Sequence, residues 1–571
     1  MLEENPDAVP DVGIDVVLQP PNNACDDLTD EDSGDEEHVT INNLPPSQLC
    51  AVAETIDEHG TVLSDNSGDD EDEQPSTSSR GSRPPPKKKA KVYSWKKGDL
   101  VASNLMWTTK QEDEIEKTPV EYFLTFFDEQ LLSEIVEQTN NYAFHKNIVL
   151  DLTVDELKTF FGILLLTGYV PLPRRRMYWE KSADTHNSLV ANAMSRNRFE
   201  QIFSNLHVAD NNSLNKDDKF AKVRPLFDAL GKKFLENCPH EENHSIDEAM
   251  VPYFGRHGCK QFIRGKPIRY GYKLWVGATR LGYVAWMEPY QGAGTFINPD
   301  YRDMGLGAGV ILQYAEVLST LGDYPYHLFF DNFFTSIPLL SEITARNIRA
   351  TGTIRENRTS RCPLDDCKAM KKTARGTYDS RVTKPDNIVV CRWNDNSVVT
   401  LASNVASVKP IGSVSRYSQK LKKNVQITQP HLVKCYNENM GGVDRSDQNI
   451  SLYRVSMRGK KWYFPLIAHC IDLAEQNAWQ LHRVHKGELD HLAFRRRVAT
   501  AILETNVRPR KGTGRPSKAE HVDSRFDRLD HLVEPQDVQT RCRQCHQKCT
   551  TRCSKCDVGV HVKCFRLYHT K

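Results

Sequence analysis

The chain lacks any apolar run long enough to cross a membrane. Its most hydrophobic stretch, Ile163 to Leu166 with Phe160 and Phe161 beside it, falls far short of the roughly 20 residues a bilayer requires. No secretory signal is visible, and the fifteen cysteines mostly lack the pairing pattern of secreted scaffolds, so a reducing intracellular compartment is expected. Net charge is absent too, since 75 Lys and Arg balance 75 Asp and Glu, but the balance is not local. Residues 1–80 hold 22 acidic residues and a single basic one, Arg80, so the remainder carries 53 acids against 74 bases, a net +21. A body this basic either attracts a polyanion, with phosphate neutralisation and counterion release as the usual term in DNA binding, or simply displays solvated lysines.

The acidic start has few aromatics and many Ser, Pro and Gly, as in DDLTDEDSGDEE and SDNSGDDEDEQPSTSS. It cannot bury enough apolar surface to offset the entropy of ordering, and disorder is expected over residues 1–115. Ser33 and Ser67, each among acids, are either acceptors for an acid-directed kinase or plain solvated serines. Charge reverses abruptly at PPPKKKAK, residues 84–91, where a basic cluster after an extended proline run reads as a nuclear import signal.

From Thr118 the pattern turns helical. Pro119 suits a first helical turn, and Phe123, Phe126, Phe127, Leu131, Leu132, Ile135 and Val136 recur with helical period. Thr153 and Glu156 predict a capping box ahead of LKTFFGILLLTGYV. Residues 388–403, IVVCRWNDNSVVTLAS, read as a hairpin around an Asn-Asp-Asn-Ser turn.

Three aspartates stand in distinctive settings. Asp331 in YHLFFDNFFTS follows an apolar run that reads as a short buried strand, and Asp247 in HSIDEAMVPYFGR sits in a second alternating stretch. Asp444 in YNENMGGVDRSDQ follows the Gly441-Gly442 break, on the first turn of a helix predicted from Val443 through Arg454, with Asp447 on the same face. Carboxylates that converge need a counter-charge, and magnesium supplies one while keeping positions open for water and phosphate oxygens. Spacing alone does not separate such a triad from helix caps and turn residues.

The words around these acids narrow the reading. IDE followed by GRHGCKQFIRGKPIRYGYKLW, then DNFFTS, then YNENMGGVDRSDQ and WYFPL, resemble the piggyBac transposase family, in particular the transposase-derived proteins of animal genomes, from roughly Pro119 to the C-terminus. The resemblance implies an α/β protein with an RNase H-like core in which Asp247, Asp331 and Asp444 bind two magnesium ions and Asp447 is a fourth required acid. It implies a helical dimerisation and DNA-binding domain over 116–230 and the catalytic core over 231–345 and 436–500, interrupted by a β-rich insertion domain over 346–435. A basic linker at 501–535 then leads to a zinc finger at 536–571. The implied activity is cut-and-paste transposition by a homodimer in the nucleus. Water nicks the transposon 3′ ends, the freed 3′-OH attacks the opposite strand to form a hairpin, and the opened end joins a TTAA target in double-stranded DNA. A host-adopted DNA-binding protein that keeps the scaffold without transposing is the alternative.

Basic residues offer candidate DNA contacts. Arg264, Lys266, Arg269 and Lys273 follow the first acid with aromatics between them, either gripping phosphates or lying on a solvated strand face. Arg174, Arg175 and Arg176, and the run Arg416, Lys420, Lys422 and Lys423, are further candidates. Trp462 matches a family tryptophan and either stacks on an unpaired base or packs in the core. Arg515, in RPRKGTGRPSK at 508–518, is either the centre of an AT-hook or part of a flexible linker.

Six of the cysteines fall within residues 542–571, where Cys542-x2-Cys545 and Cys553-x2-Cys556 form two thiolate pairs and His561-x2-Cys564 and His569 add zinc-type ligands. The family's cross-brace implies one zinc on Cys542, Cys545, His561 and Cys564, and a second begun by Cys553, Cys556 and His569. The latter's fourth ligand would fall at or past Lys571, so either Cys549 or His546 completes it or the site binds its ion weakly.

If the acidic start folds back on the basic body, deleting residues 1–80 will tighten non-specific DNA binding, most clearly near 0.01 M salt where the Debye length is about 30 Å. Binding isotherms over a salt series should show the gap closing as salt rises. Superimposable low-salt curves would leave the tail a solvated extension.

Overall fold

The computed structural model describes residues 15–18, 53–56, 91–101, 105–108 and 117–570, apart from 264–265, 296, 385, 420, 506–530 and 557. Ser33, Ser67, Arg264, Lys420, Arg515 and most of the PPPKKKAK signal therefore lie outside the described residues. The described residues form two compact units, one within Met1–Tyr178 and Asn187–Val507, the other within Trp179–His186 and Arg508–Lys571.

The first unit is mixed α/β. An antiparallel pair, β1 (Asp15–Leu18) with β2 (Ala53–Ile56), comes first in the chain. Then follow β3 (Ser94–Lys97), β4 (Asn243–Pro252), β5 (Lys260–Phe262), β6 (Tyr270–Thr279), β7 (Val284–Pro289), β8 (His327–Phe330), β9 (Arg349–Thr353), β10 (Tyr378–Lys384), β11 (Ile388–Asn394) and β12 (Val398–Ser403). These ten build one sheet in the order β3-β10-β11-β12-β9-β8-β4-β6-β5, with β7 also on β6. Pairing is parallel at β4–β8 and β8–β9, and antiparallel elsewhere. A parallel pair needs a long crossover, supplied between β8 and β9 by helix Ile337–Ala345. Helices Leu306–Ser319 and Ile337–Ala345 bury Val310, Ile311, Tyr314, Ile337 and Leu340 against Ile246, Leu328 and Phe330 of the sheet.

Three features differ from the sequence expectation, the first being that β1 and β2 pair within residues 1–115, expected to be disordered. Ser94–Lys97, inside the stretch expected to be disordered, is an edge strand paired with β10, because β10 would otherwise leave one row of backbone groups unpaired. The segment 346–435 does contain the expected hairpin, β11 and β12 around residues 395–397, but β10, β11 and β12 continue the same sheet rather than forming a layer of their own. Within this segment β13 (Gly412–Ser418) and β14 (Lys423–Gln429) pair off as a separate ribbon.

The helical part begins with Pro119–Phe126, where Thr118 and Glu121 make a complete capping box, followed by Glu129–His145, Val154–Thr167, Arg196–Asn205 and Arg224–Glu236. The box predicted at Thr153 is only half present. Thr153 accepts from the Glu156 N–H at 3.3 Å, but the Glu156 carboxylate accepts from Arg198 Nε at 3.0 Å, an ionic partner that outcompetes the cap.

Helices Phe464–Val484 and His491–Thr505, beyond the third acid, pack against Pro119–Phe126 and Val154–Thr167. Their joint is ionic. Arg495, 1% exposed, donates to Asp472 Oδ1 at 2.7 Å, to Glu475 Oε2 at 2.9 Å and to the Leu165 carbonyl at 3.1 Å. His491 Nε2 lies 3.1 Å from the same Glu475 oxygen.

Replacing Arg495 by Leu strands two buried carboxylates, which costs about 3–5 kcal/mol in comparable sites. Urea unfolding should show the loss in this range, and a shift under about 1 kcal/mol would mean that the cluster relaxes by admitting water.

Candidate active site

The register of β4 and β8 places two acids side by side. The strands run parallel with Ile246 opposite Phe330, so the residues that follow, Asp247 and Asp331, sit at matching levels of adjacent chains. β8 is four buried residues, His327, Leu328, Phe329 and Phe330, and the chain turns away immediately after it. The turn is held by Asp331 itself: its Oδ1 accepts from the Phe333 N–H at 2.8 Å, and its carbonyl accepts from Thr335 Oγ1 at 2.8 Å.

Asp444 arrives on helix Gly442–Leu452, in its first turn. The helix end is docked on the sheet by the Val443 N–H, which donates to Ser245 Oγ at 3.2 Å, two residues before Asp247. Gly442 makes this approach possible, since a Cβ there would meet the Thr279 carbonyl oxygen at 2.3 Å and Ser245 Oγ at 2.6 Å. A Cβ on Gly441 would meet nothing within 4 Å, so of the two glycines it is the second that the packing demands.

The acids share one electrostatic neighbourhood. Burial pushes the Asp247 carboxyl up to about 7, with Glu248 and Asp331 adding and Lys266 opposing. Burial likewise pushes Asp447 to about 7, with Asp444 and Glu248 adding and Arg454 and Lys266 opposing. Burial also raises Asp331. The phenol of Tyr436, raised first by its own burial, is raised further by Asp331, Asp247 and Asp444 together. Lys266 is the counter-charge: its Nζ lies 3.7 Å from Glu248 Oε1 and 4.0 Å from Asp247 Oδ2. Burial lowers its basicity, but Asp247, Glu248, Asp444 and Asp447 more than compensate and hold it raised.

The donor set suits a hard divalent cation. It offers carboxylate oxygens from a strand, a strand end and a helix, with Asp247, Asp331 and Asp447 raised by burial and by neighbouring carboxylates, a penalty such a cation would relieve. Among the described residues, however, the groups of ligand atoms that lie within 4.8 Å of one another are both in the C-terminal segment, so the acids neighbour one another without closing on a common point.

The basic candidates fare differently. Lys266 and Lys273 turn onto acids, with Lys273 Nζ 3.8 Å from Glu248 Oε2 and 3.9 Å from the Trp275 ring centre, while Arg269 is exposed. Arg175 and Arg176 share Glu200 at 2.8 and 3.2 Å. Arg416 Nε donates to Asp395 at 3.0 Å. Trp462 stacks on His257 with ring centres 4.2 Å apart, in a cluster with Phe220 and Tyr272, so one of its faces is already covered. Glu248 and Tyr436 were not singled out from the sequence, although both stand in the quoted motifs, IDE and YNENMGG.

The C-terminal segment holds two ligand groups. It consists of β15 (Val533–Arg541), β16 (Lys548–Cys553), β17 (Val558–Gly559) and helix Val562–Tyr568. Cys542, Cys545, His561 and Cys564 come together as the resemblance implies, with Cys545 Sγ 3.3 Å from His561 Nδ1. Burial pushes the Cys542 thiol up, but N–H groups of Cys545, His561 and Gln544 prevail and bring it down to about 6. The second group is Cys553, Cys556 and His569 with His531, which corrects the expectation of Cys549 or His546. Cys549 is instead buried 3.8 Å from Thr540 Oγ1, and His546 occupies a turn position with φ of 60°. His531 lies ahead of the cysteine-rich block, where CxxC spacing gives no hint of it.

Comparison with known proteins follows the same outline. The family model described as Transposase IS4 matches residues 118–479. The human PiggyBac transposable element-derived protein 3 is 48% identical over 97% of this chain and 96% of its own length. The human PiggyBac transposable element-derived protein 2 is 45% identical over 97% of this chain and 93% of its own. Among solved structures, a piggyBac transposase synaptic complex with hairpin DNA aligns with a TM-score of 0.56 at 21% identity, covering 79% of this chain and 96% of that one, a likeness of fold.

The raised acids make stability depend on pH. Asp247 and Asp447 titrate near 7 in the folded chain against an ordinary 3.8, so between those values the folded state holds protons that the unfolded state has released. Stability should therefore fall as pH rises from about 4 to about 7 and level off above, by at most about 4 kcal/mol per group. Melting curves of metal-free protein should show this decline, and Asp447→Asn should make it shallower and raise the melting temperature at about pH 8. An equally steep decline in the variant would remove Asp447 as a source.

Proposed function

This chain belongs to the piggyBac transposase family, and from that premise we propose that it is a metal-dependent DNA transposase that cleaves and rejoins phosphodiester bonds. The observation that supports the reading is the shared neighbourhood of Asp247 and Asp331, set level by parallel register, and of Asp444, on a helix docked beside them through Gly442. On this reading the five strands from β9 to β5 are an RNase H-like core with a lengthened sheet, and Asp247, Asp331 and Asp444 hold two magnesium ions. Magnesium so held lowers the pKa of an attacking water or 3′-hydroxyl and stabilises the leaving oxygen. The chain's own part is placement. The strand register and the Asp331 turn fix two carboxylates, and Ser245 and Gly442 set the angle from which the third enters. Asp447, Glu248 and Lys266 set the charge of the pocket, and Lys266 would be the cation there available to a phosphate oxygen.

Double-stranded DNA is the proposed partner, with transposon ends and TTAA as the targets, a homodimer as the working form and the nucleus as the place of action. The net positive charge of residues 81–571 supports the first and the PPPKKKAK cluster the last. The C-terminal Cys and His groups are proposed to hold zinc, because so short a segment has a core made largely of the cysteines themselves. A second reading, a DNA-binding protein that has stopped transposing, is favoured by the fact that two relatives spanning nearly the whole chain are named as element-derived proteins.

Asp331→Asn keeps the shape of the turn and loses a charge. It should reduce magnesium-dependent cleavage of a terminal-repeat duplex by a thousandfold or more, on the order of 4 kcal/mol, with DNA affinity unchanged. Equal cleavage by both proteins would overturn the site, and wild-type binding without cleavage would establish the second reading.

A further inference from the structure

We infer that the second zinc site is closed from its N-terminal side by His531, a proposal that rests on the zinc reading of the C-terminal segment. His531 Nδ1 lies 3.3 Å from Cys553 Sγ and 3.5 Å from Cys556 Sγ, and its ring centre is 4.1 Å from that of His569. The four ligand atoms all fall within 4.8 Å of one another. Separations of this size are those spanned by donors on a tetrahedral ion with bonds of about 2.0–2.3 Å.

The main chain puts His531 there. The Leu532 carbonyl accepts from the Ser554 N–H at 2.9 Å, and the Leu532 N–H donates to Ser554 Oγ at 3.2 Å. These bonds clamp the residue after His531 onto the turn between Cys553 and Cys556, and the pairing of Val533 with Cys553 continues the clamp into β15 and β16. The imidazole is thus presented by backbone register rather than by a free side chain reaching inward. On the other side, His569 follows helix Val562–Tyr568, which also carries Cys564 of the first group.

Two consequences follow. The zinc-binding unit starts at residue 531, so a finger cut at 536 lacks a ligand. The two sites also differ in chemistry, three thiolates and one imidazole in the first against two and two in the second, so the second should give up its ion first to a competing zinc chelator.

The test is the zinc content of the full-length chain after gel filtration without chelator, for the wild type and for His531→Ala, His531→Cys, His546→Ala and Cys549→Ala. Expected are about two ions per chain for the wild type and the His546 and Cys549 variants, about one for His531→Ala, and about two again for His531→Cys, which restores a ligand. Two ions retained by His531→Ala would overturn the assignment of His531 while leaving zinc in place. A wild type without zinc would overturn the zinc reading as well. Circular dichroism of the same samples checks that the variants remain folded, and His531→Cys separates loss of a ligand from loss of the fold.

Discussion

The parallel pairing of β4 with β8 is the constraint on which the rest of the site depends. It sets Ile246 against Phe330 and so brings together two carboxylates that are far apart along the chain. A slip of one residue would turn each side chain to the opposite face and separate them. The slip is prevented by burial, because Ile246, Leu328 and Phe330 are all enclosed by helices Leu306–Ser319 and Ile337–Ala345. The apolar core therefore does more than hold the sheet together. It fixes which residues of two strands stand level.

Against that frame of apolar contacts, the site itself is electrostatically strained. Asp247, Asp331 and Asp447 are all raised by burial, and Lys266 and Lys273 are drawn onto Glu248 and Asp247. A chain selected for stability alone would place apolar residues here, since buried charges seldom repay their desolvation. In the buried Arg495 cluster, by contrast, each carboxylate has a guanidinium nitrogen within 2.9 Å. The two clusters show the same chemistry with opposite outcomes, one held by direct ion pairs to a single guanidinium, the other acid-rich with its lysines 3.7–4.0 Å away.

The C-terminal segment solves a different problem. Its buried cluster is five cysteines, Cys542, Cys549, Cys553, Cys556 and Cys564, with Val560 and Tyr568, too little apolar surface to order a fold on its own. The two Cys and His groups gather residues from the end of β16, from the turns beside the strands and from both ends of helix Val562–Tyr568, so their members are dispersed along the chain.

The sequence by itself was enough for the local facts. The apolar run before Asp331, the alternation around Asp247, the glycine break before Asp444 and the Asn-Asp-Asn-Ser turn each depend on a few neighbouring residues, and the observed β8, β4, helix Gly442–Leu452 and β11–β12 hairpin follow them closely. The paired cysteines were legible for the same reason. Tertiary structure alone decided the partnerships. Glu156 leaves its cap for Arg198, Lys266 faces carboxylates, β10 to β12 extend the main sheet, Ser94–Lys97 pairs with β10, and His531 joins cysteines from ahead of the finger. Each of these is a competition between groups distant in sequence, settled by burial and by the need of every enclosed donor, acceptor and charge for a partner, and no local pattern records who is near enough to compete.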